Sequence, residues 1–270
     1  MWKKAKSAMV QNSFNHSMRG MSALAAVFRR KNRIKKNRNY MKLQHITFTG
    51  IDGKTDLGAL WELQQQYPIA EFGVLVAKNW RENGNRYFNP SYLDALEGRG
   101  LNLSAHFCGS IARAAVRGDF EPFRAWAGSF PFIFNRCQLN IATSKENPDS
   151  FDVCEDAFLF EEIILQQKSV DDCDLYLKSN WNEYVTMLLD ASGGEGIDTS
   201  LVAFAGKKIG YAGGINPDNV AEKLTFLMEN EQVGDFWIDM ESGVRTDDWF
   251  DIDKVRRVLE ICEPIINKYK

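Results

Sequence analysis

An α/β fold, a single (β/α)8 TIM barrel preceded by a disordered basic N-terminal extension, is what this sequence predicts, on three observations. From Met41 onward, eight short β-rich runs alternate with longer stretches of helical pattern, the sign of parallel strands joined by crossover helices. Two of the runs are apolar until they stop at Gly213-Gly214 and at Ser242-Gly243. Buried strands end this way when their C-terminal ends must let backbone amides approach an anion, and in such barrels the loops after strands seven and eight build a phosphate cup. The roughly 230 residues involved match the size of one barrel domain.

Taken in order, strands are expected at His45–Thr49, Glu71–Ala77, Leu101–Phe107, Phe132–Asn140, Glu162–Gln166, Tyr184–Asp190, Lys208–Ala212 and Phe236–Met240. Helices are expected at Asp56–Gln66, Pro90–Leu96, Ser110–Arg117, Asp198–Phe204, Pro217–Glu229 and Ile252–Lys268. In the last, Val255, Val258, Leu259, Ile261, Cys262, Ile265 and Ile266 form one apolar stripe, and Asp251 is placed to cap it. The acidic stretch from Asn147 to Phe160 contains a proline and little periodicity, so the connection after strand four reads as short or irregular. An open doubly wound sheet is the alternative fold. It is disfavoured because no Gly-x-Gly-x-x-Gly turn follows the first strand.

The net charge of −3 conceals two unlike polymers. Residues 1–40 hold eleven Lys and Arg and no acid, leaving 22 basic against 36 acidic side chains in residues 41–270, a balance of −14. The arm lacks an apolar period and is set apart from the barrel at 41–270 as a disordered segment. It reads as a mis-assigned start, an Arg-rich transit segment, or a tether to nucleic acid or an anionic surface. Outside that arm nucleic acid is not an expected partner. No stretch approaches a membrane span, so a soluble, cytoplasmic protein is expected, or an organellar one if the arm is a transit segment. The five cysteines show neither Cys-x-x-Cys spacing nor a histidine partner pattern, so no metal, cofactor or disulfide framework is indicated.

With the strands placed, three C-terminal segments carry a likeness to a known family. Leu188-Leu-Asp-Ala-Ser-Gly-Gly-Glu-Gly196, Ala212-Gly-Gly-Ile-Asn-Pro-Asp-Asn-Val220 and Asp239-Met-Glu-Ser-Gly-Val244 follow one another. The chain resembles phosphoribosylanthranilate isomerase, whose segments read Leu-Asp-x-x-x-Gly-Gly-x-Gly, Ala-Gly-Gly-Leu-Asn-Pro-Glu-Asn-Val and Asp-Val-x-Ser-Gly-Val-Glu. The resemblance implies Asp190 as general acid and Gly213, Gly214, Ser242 and Gly243 as phosphate contacts. It implies Arg86, in Asn85-Arg-Tyr-Phe-Asn-Pro90, as binder of an aromatic carboxylate, and a link to tryptophan biosynthesis. The first strand departs from it. Where the family has Lys-x-Cys-Gly-Ile-Thr with the cysteine as general base, this chain has Thr47-Phe-Thr-Gly-Ile-Asp52, so Thr49 stands at the base position. A threonine hydroxyl has no thiolate-like state at neutral pH. The family's Gln-Leu-His-Gly on strand four is Gln138-Leu-Asn-Ile141 here.

The residues read by themselves agree in part. Asp190 ends a mostly apolar strand at the catalytic face, where an acid serves proton transfer; an Asp capping the following loop is the plain alternative. Alternation on strand three puts Ser104, His106 and Cys108 on one polar face, which suits the lumen and offers His106 or Cys108 as a replacement base. A structural core histidine and a metal-binding one remain open alternatives. The expected function is an isomerase-like barrel acting on a phosphorylated sugar or sugar-aromatic conjugate by acid/base proton transfer, diverged from the family reaction. The alternative is a non-catalytic barrel that binds a phosphorylated metabolite as sensor or scaffold. The expected partner is a phosphorylated small molecule, and the expected assembly a monomer or homodimer.

Overall fold

Eight parallel strands close on themselves in the computed structural model, each pairing with its neighbours in sequence and β1 completing the ring against β8. The structure describes residues 42–81, 84–141, 159–169, 171, 185–193, 195–203, 208–230 and 233–270. Residues 1–40 and the irregular connection expected from Asn147 lie outside the described residues, apart from 159–160 of the latter. The strands are β1 Leu43–Thr49, β2 Ala70–Val76, β3 Leu103–Phe107, β4 Arg136–Leu139, β5 Glu162–Gln167, β6 Val185–Asp190, β7 Ile209–Ala212 and β8 Phe236–Met240. Five helices are described: α1 Leu57–Gln66, α2 Gly109–Val116, α3 Glu121–Ala127, α4 Val220–Glu229 and α5 Ile252–Lys268.

The local reasons are ordinary ones. Asp56 caps α1 by accepting from Gly58 N and Ala59 N, and Asp251 caps α5 by accepting from Lys254 N. α5 buries Val255, Val258, Leu259, Cys262 and Ile266 along one stripe, while Ile261 and Ile265 flank it half-buried. Phe107, Phe120, Phe123, Trp126, Phe134 and Phe160 pack ring on ring beside β3, with Phe107 and Phe123 stacked at 4.7 Å.

Four differences from the sequence expectation matter. Pro90–Ala95 is a 3-10 helix rather than an α-helix. The fourth strand is confined to four residues, because a 3-10 turn begun at Pro131 runs into the segment expected to be extended. Residues 198–203 are irregular instead of opening a helix. There Lys223 Nζ draws in both the Asp198 carboxylate and the Thr199 carbonyl, each at 2.7 Å, and tertiary contact overrides local propensity. A short hairpin, β9 Arg245–Thr246 and β10 Trp249–Phe250, follows β8 and turns on Asp247 and Asp248, both at positive φ.

The lumen is unusually charged at its N-terminal half. Arg136 on β4 donates from Nη2 to Glu71 Oε1 and from Nη1 to Glu162 Oε2, both at 2.9 Å, and its Nε stands 2.9 Å from Glu71 Oε2. Lys208 reaches Glu162 at 2.7 Å, and Thr47 donates to Glu71 at 3.0 Å. Burial opposes the ionised form of Glu162, yet Lys208 and Arg136 hold its carboxyl down at about 2. Trp237 lies under Arg136, 4.7 Å from ring centroid to guanidinium, and packs with Ile164, Leu188 and Ala212. Gly210 makes this possible, since a Cβ there would lie 2.2 Å from the indole.

Candidate active site

A cavity of about 330 Å³ opens at the C-terminal end of the strands. Its wall takes Thr49 from β1, His106 and Cys108 from β3 and its end, Gln138 and Asn140 from β4 and its end, Gln166 from β5, Asp190 from β6, and Asp239 and Glu241 from β8 and its end. Arg86 and Tyr87 enter from the loop after β2, and Gly214 and Ser242 from the loops after β7 and β8. Thr49, Arg86, His106, Cys108, Asp190, Gly214 and Ser242, all singled out in the sequence, therefore share one space. Gly213 and Gly243 do not face it. They sit behind the wall, where a Cβ on Gly213 would lie 2.5 Å from Thr199 Oγ1 and one on Gly243 2.0 Å from the Ile215 carbonyl. Their place is to let three loops close over the cup.

The Thr49 hydroxyl is not idle. Thr49 Oγ1 donates to Asp239 Oδ1 at 2.7 Å and lies 3.4 Å from His106 Nδ1, while His106 Nε2 is 3.0 Å from Ser104 Oγ. Asp239 Oδ2 is 4.0 Å from His106 Nδ1. The meeting depends on Gly73 of β2, which lies between the two strands: a Cβ there would stand 2.7 Å from Thr49 Oγ1 and 2.9 Å from His106 Nε2.

Electrostatics separate these groups. Burial pushes the Asp239 carboxyl up from 3.8 to about 7, with Glu241, Glu71 and Asp190 adding repulsion against the Thr49 hydrogen bond. Burial draws His106 down to about 4, so its imidazole is neutral near pH 7. Cys108 is pushed by burial, with Glu241, up to about 12. It stays a thiol near pH 7, accepting from Asn140 at 3.3 Å, which removes the thiolate a base would need. Asp190 accepts from Gln166 Nε2 at 2.7 Å on Oδ2, and from Ser192 Oγ at 2.6 Å and Ser192 N at 3.1 Å on Oδ1.

The cup after β7 has its own scaffold. Asn216 Nδ2 and Asn219 Nδ2 both donate to the Gly214 carbonyl, at 3.0 and 2.9 Å, and fix the following peptide so that the Ile215 N–H faces the opposite way. Gly214 adopts φ +63°, and Ile215 and Ser242 join it in the cavity wall. Beyond the cup α4 begins at Val220, adding the positive end of its dipole.

Arg86 is engaged at the rim. Its Nη1 donates to Glu241 at 3.0 Å and its Nε to Asp248 at 2.6 Å. Arg245, where the family pattern has Glu, ties the rim together by donating to the Gly50 carbonyl at 2.6 Å, to Asp52 at 3.1 Å and to the Asp248 carbonyl at 2.6 Å. Asp239, Glu241 and Gly73 are the residues the sequence reading missed. Asp239 had a signal, being a lone acid in an apolar strand one residue pair before Ser242-Gly243; Glu241 and Gly73 had none without the pairing register.

A family model for N-(5'-phosphoribosyl)anthranilate (PRA) isomerase matches residues 145–261. Among solved structures, the chain is similar to N-(5'-phosphoribosyl)anthranilate isomerase from Pyrococcus furiosus at 16% identity, over 82% of this chain and 99% of that one, with a TM-score of 0.51. The phosphoribosyl anthranilate isomerase from Thermococcus kodakaraensis matches at 14% identity over 81% and 98%, with a TM-score of 0.49. No curated protein matches in sequence. Among the described residues no helix is long and apolar enough to cross a membrane. The chain is a closed (β/α)8 barrel that, over residues 145–261, is similar to the phosphoribosylanthranilate isomerase family.

Proposed function

We propose that this chain is a proton-transfer enzyme of isomerase type, acting on a phosphorylated sugar or sugar-aromatic conjugate and diverged from the family reaction. The phosphate is held at Gly214, Ile215 and Ser242, on the shelf that Gly213 and Gly243 allow to close. Asp239 removes a proton from the carbon beside a carbonyl or imine. Asp190 delivers one to the oxygen or nitrogen at the other end of the conjugated system, so that the product is an isomer and no atom is gained or lost. The observation that carries this reading is the pair formed by Thr49 and Asp239. The hydroxyl standing at the family's base position hydrogen-bonds a buried carboxyl at 2.7 Å, and that carboxyl sits near 7, matched to taking up and releasing a proton at neutral pH. His106, neutral and linked to Thr49, orients the hydroxyl rather than serving as the base.

The test is solvent exchange. Incubated with sugar phosphates in D₂O, the wild type is expected to place deuterium at the carbon beside the carbonyl, and Asp239→Asn to lose this by about 10² to 10⁴. Undiminished exchange in the variant would sink the assignment. Thr49 is also the observation that favours the second reading, a non-catalytic phosphorylated-metabolite-binding barrel: tight binding with no exchange for any sugar phosphate would establish it. Growth of a tryptophan auxotroph is not expected to be restored. Robust, Asp190-dependent growth would overturn the divergence, since a misplaced base costs about a hundredfold for about 1 Å.

A further inference from the structure

Beside the phosphate cup, the same cavity is furnished with carboxylates. Among the described residues the charged side chains in its wall are Asp190, Asp239, Glu241 and Arg86, and His106 adds no charge near pH 7. Arg86, the cation of this set, is committed to Glu241 and Asp248. Neither partner is loosely held: Glu241 follows β8 directly, and Asp248 belongs to a hairpin whose backbone carbonyl accepts from Arg245, itself buried against Asp52. A ligand carboxylate approaching the remaining N–H groups of Arg86 would lie beside Glu241 and Asp248, a like-charge contact that discriminates against such ligands. A cation is favoured instead, because among the described wall residues three acids, Glu241 included, face the one guanidinium.

Resting on the phosphate-anchored reading above, we propose that the ligand is a phosphorylated sugar carrying an amino group at the end remote from the phosphate, with Glu241 as its counter-charge, and that carboxylate-bearing phosphates are rejected. The arginine in the position that a carboxylate binder would occupy serves instead as a strut between the loop after β2 and the hairpin after β8.

Calorimetric titration with glucosamine 6-phosphate, glucose 6-phosphate and 6-phosphogluconate tests this on the full chain, because the three share a phosphate and differ in charge elsewhere. Affinity is expected to fall in that order, by about tenfold or more from first to last, the worth of one hydrogen bond to a charged group. Glu241→Gln is expected to erase the preference for the amine and to strengthen 6-phosphogluconate by freeing Arg86. Amine binding no tighter than the neutral sugar, or a preference for the carboxylate, overturns the proposal while leaving phosphate anchoring intact. Failure of all three to bind overturns the anchoring and this proposal with it. A circular-dichroism spectrum of Glu241→Gln matching the wild type assigns any loss to the site rather than to the fold.

Discussion

Replacing Asp239 by Asn removes a charge the fold holds at a cost. The carboxyl lies 6% exposed and is raised from 3.8 to about 7, first by burial and then by Glu241, Glu71 and Asp190. Because the folded state binds the proton more tightly than the unfolded chain does, this group's favourable contribution is complete below about pH 4 and is lost as pH rises through about 7. The difference corresponds to about 4 kcal/mol at 1.36 kcal/mol per unit. Asn has the same shape, keeps an acceptor for the Thr49 hydroxyl, and carries no charge to desolvate. Asp239→Asn is therefore expected to exceed the wild type by only about 1 kcal/mol near pH 4.5 and by up to about 4 kcal/mol at pH 8.5, the latter roughly 10 °C in Tm for a chain of this size. The wild-type curve alone cannot show this. His106 and His45, both drawn down by burial to about 4, add stability as pH rises from about 4 to 6.5, an opposite slope present in both proteins. The measurement is the difference between variant and wild type in urea midpoint across pH 4.5 to 8.5. A difference that does not grow with pH, or a variant less stable at pH 8.5, would refute the electrostatic account of the site.

Four further outcomes follow from the same structure. Gly73→Ala is expected to separate Thr49 from His106 and to lower exchange with little change in phosphate affinity, which titration with ribose 5-phosphate checks. Ser242→Asp puts a carboxylate into the cup and is expected to abolish phosphate binding while the melting curve persists; unchanged affinity would remove the cup from the loops after β7 and β8. Arg136→Met strands Glu71 and Glu162 in the lumen and is expected to cost about 3 to 5 kcal/mol in chemical denaturation. Removing residues 1–40, which carry no apolar stripe, is expected to leave the melting temperature of the barrel unchanged, and a large drop would show that the arm is packed.

The barrel was legible because each strand announces its C-terminal end chemically. Gly213-Gly214, Ser242-Gly243 and Asp190 lie within a few residues of the ends the structure shows, and Phe236–Met240 agrees to the residue. The failures are of two kinds. Asp198–Phe204 has a helical pattern, but Lys223, a neighbour only in space, pulls the chain into a loop. The roles of Cys108 and Asp239 turn on burial and on who stands opposite, which period-two alternation cannot supply: it puts His106 and Cys108 on one face yet says nothing of Glu241, which with burial keeps the thiol protonated. Arg86 could be read as a binding residue from its loop, whereas its two acidic partners lie 155 and 162 positions downstream.

The ionic cluster in the lower lumen bears on whether this barrel can be halved. Arg136 belongs to the first four strands and satisfies Glu71 there, but its other partner, Glu162, is in the second four, where Lys208 also depends on it. Cutting the chain between β4 and β5 would leave Arg136 short of one carboxylate in one fragment and a buried Glu162–Lys208 pair without its guanidinium in the other. Neither half has an electrically complete interior, so each half is expected to be less stable than the whole ring by at least the cost of the severed ion pair. Two fragments mixed together should regain that stability by finding each other.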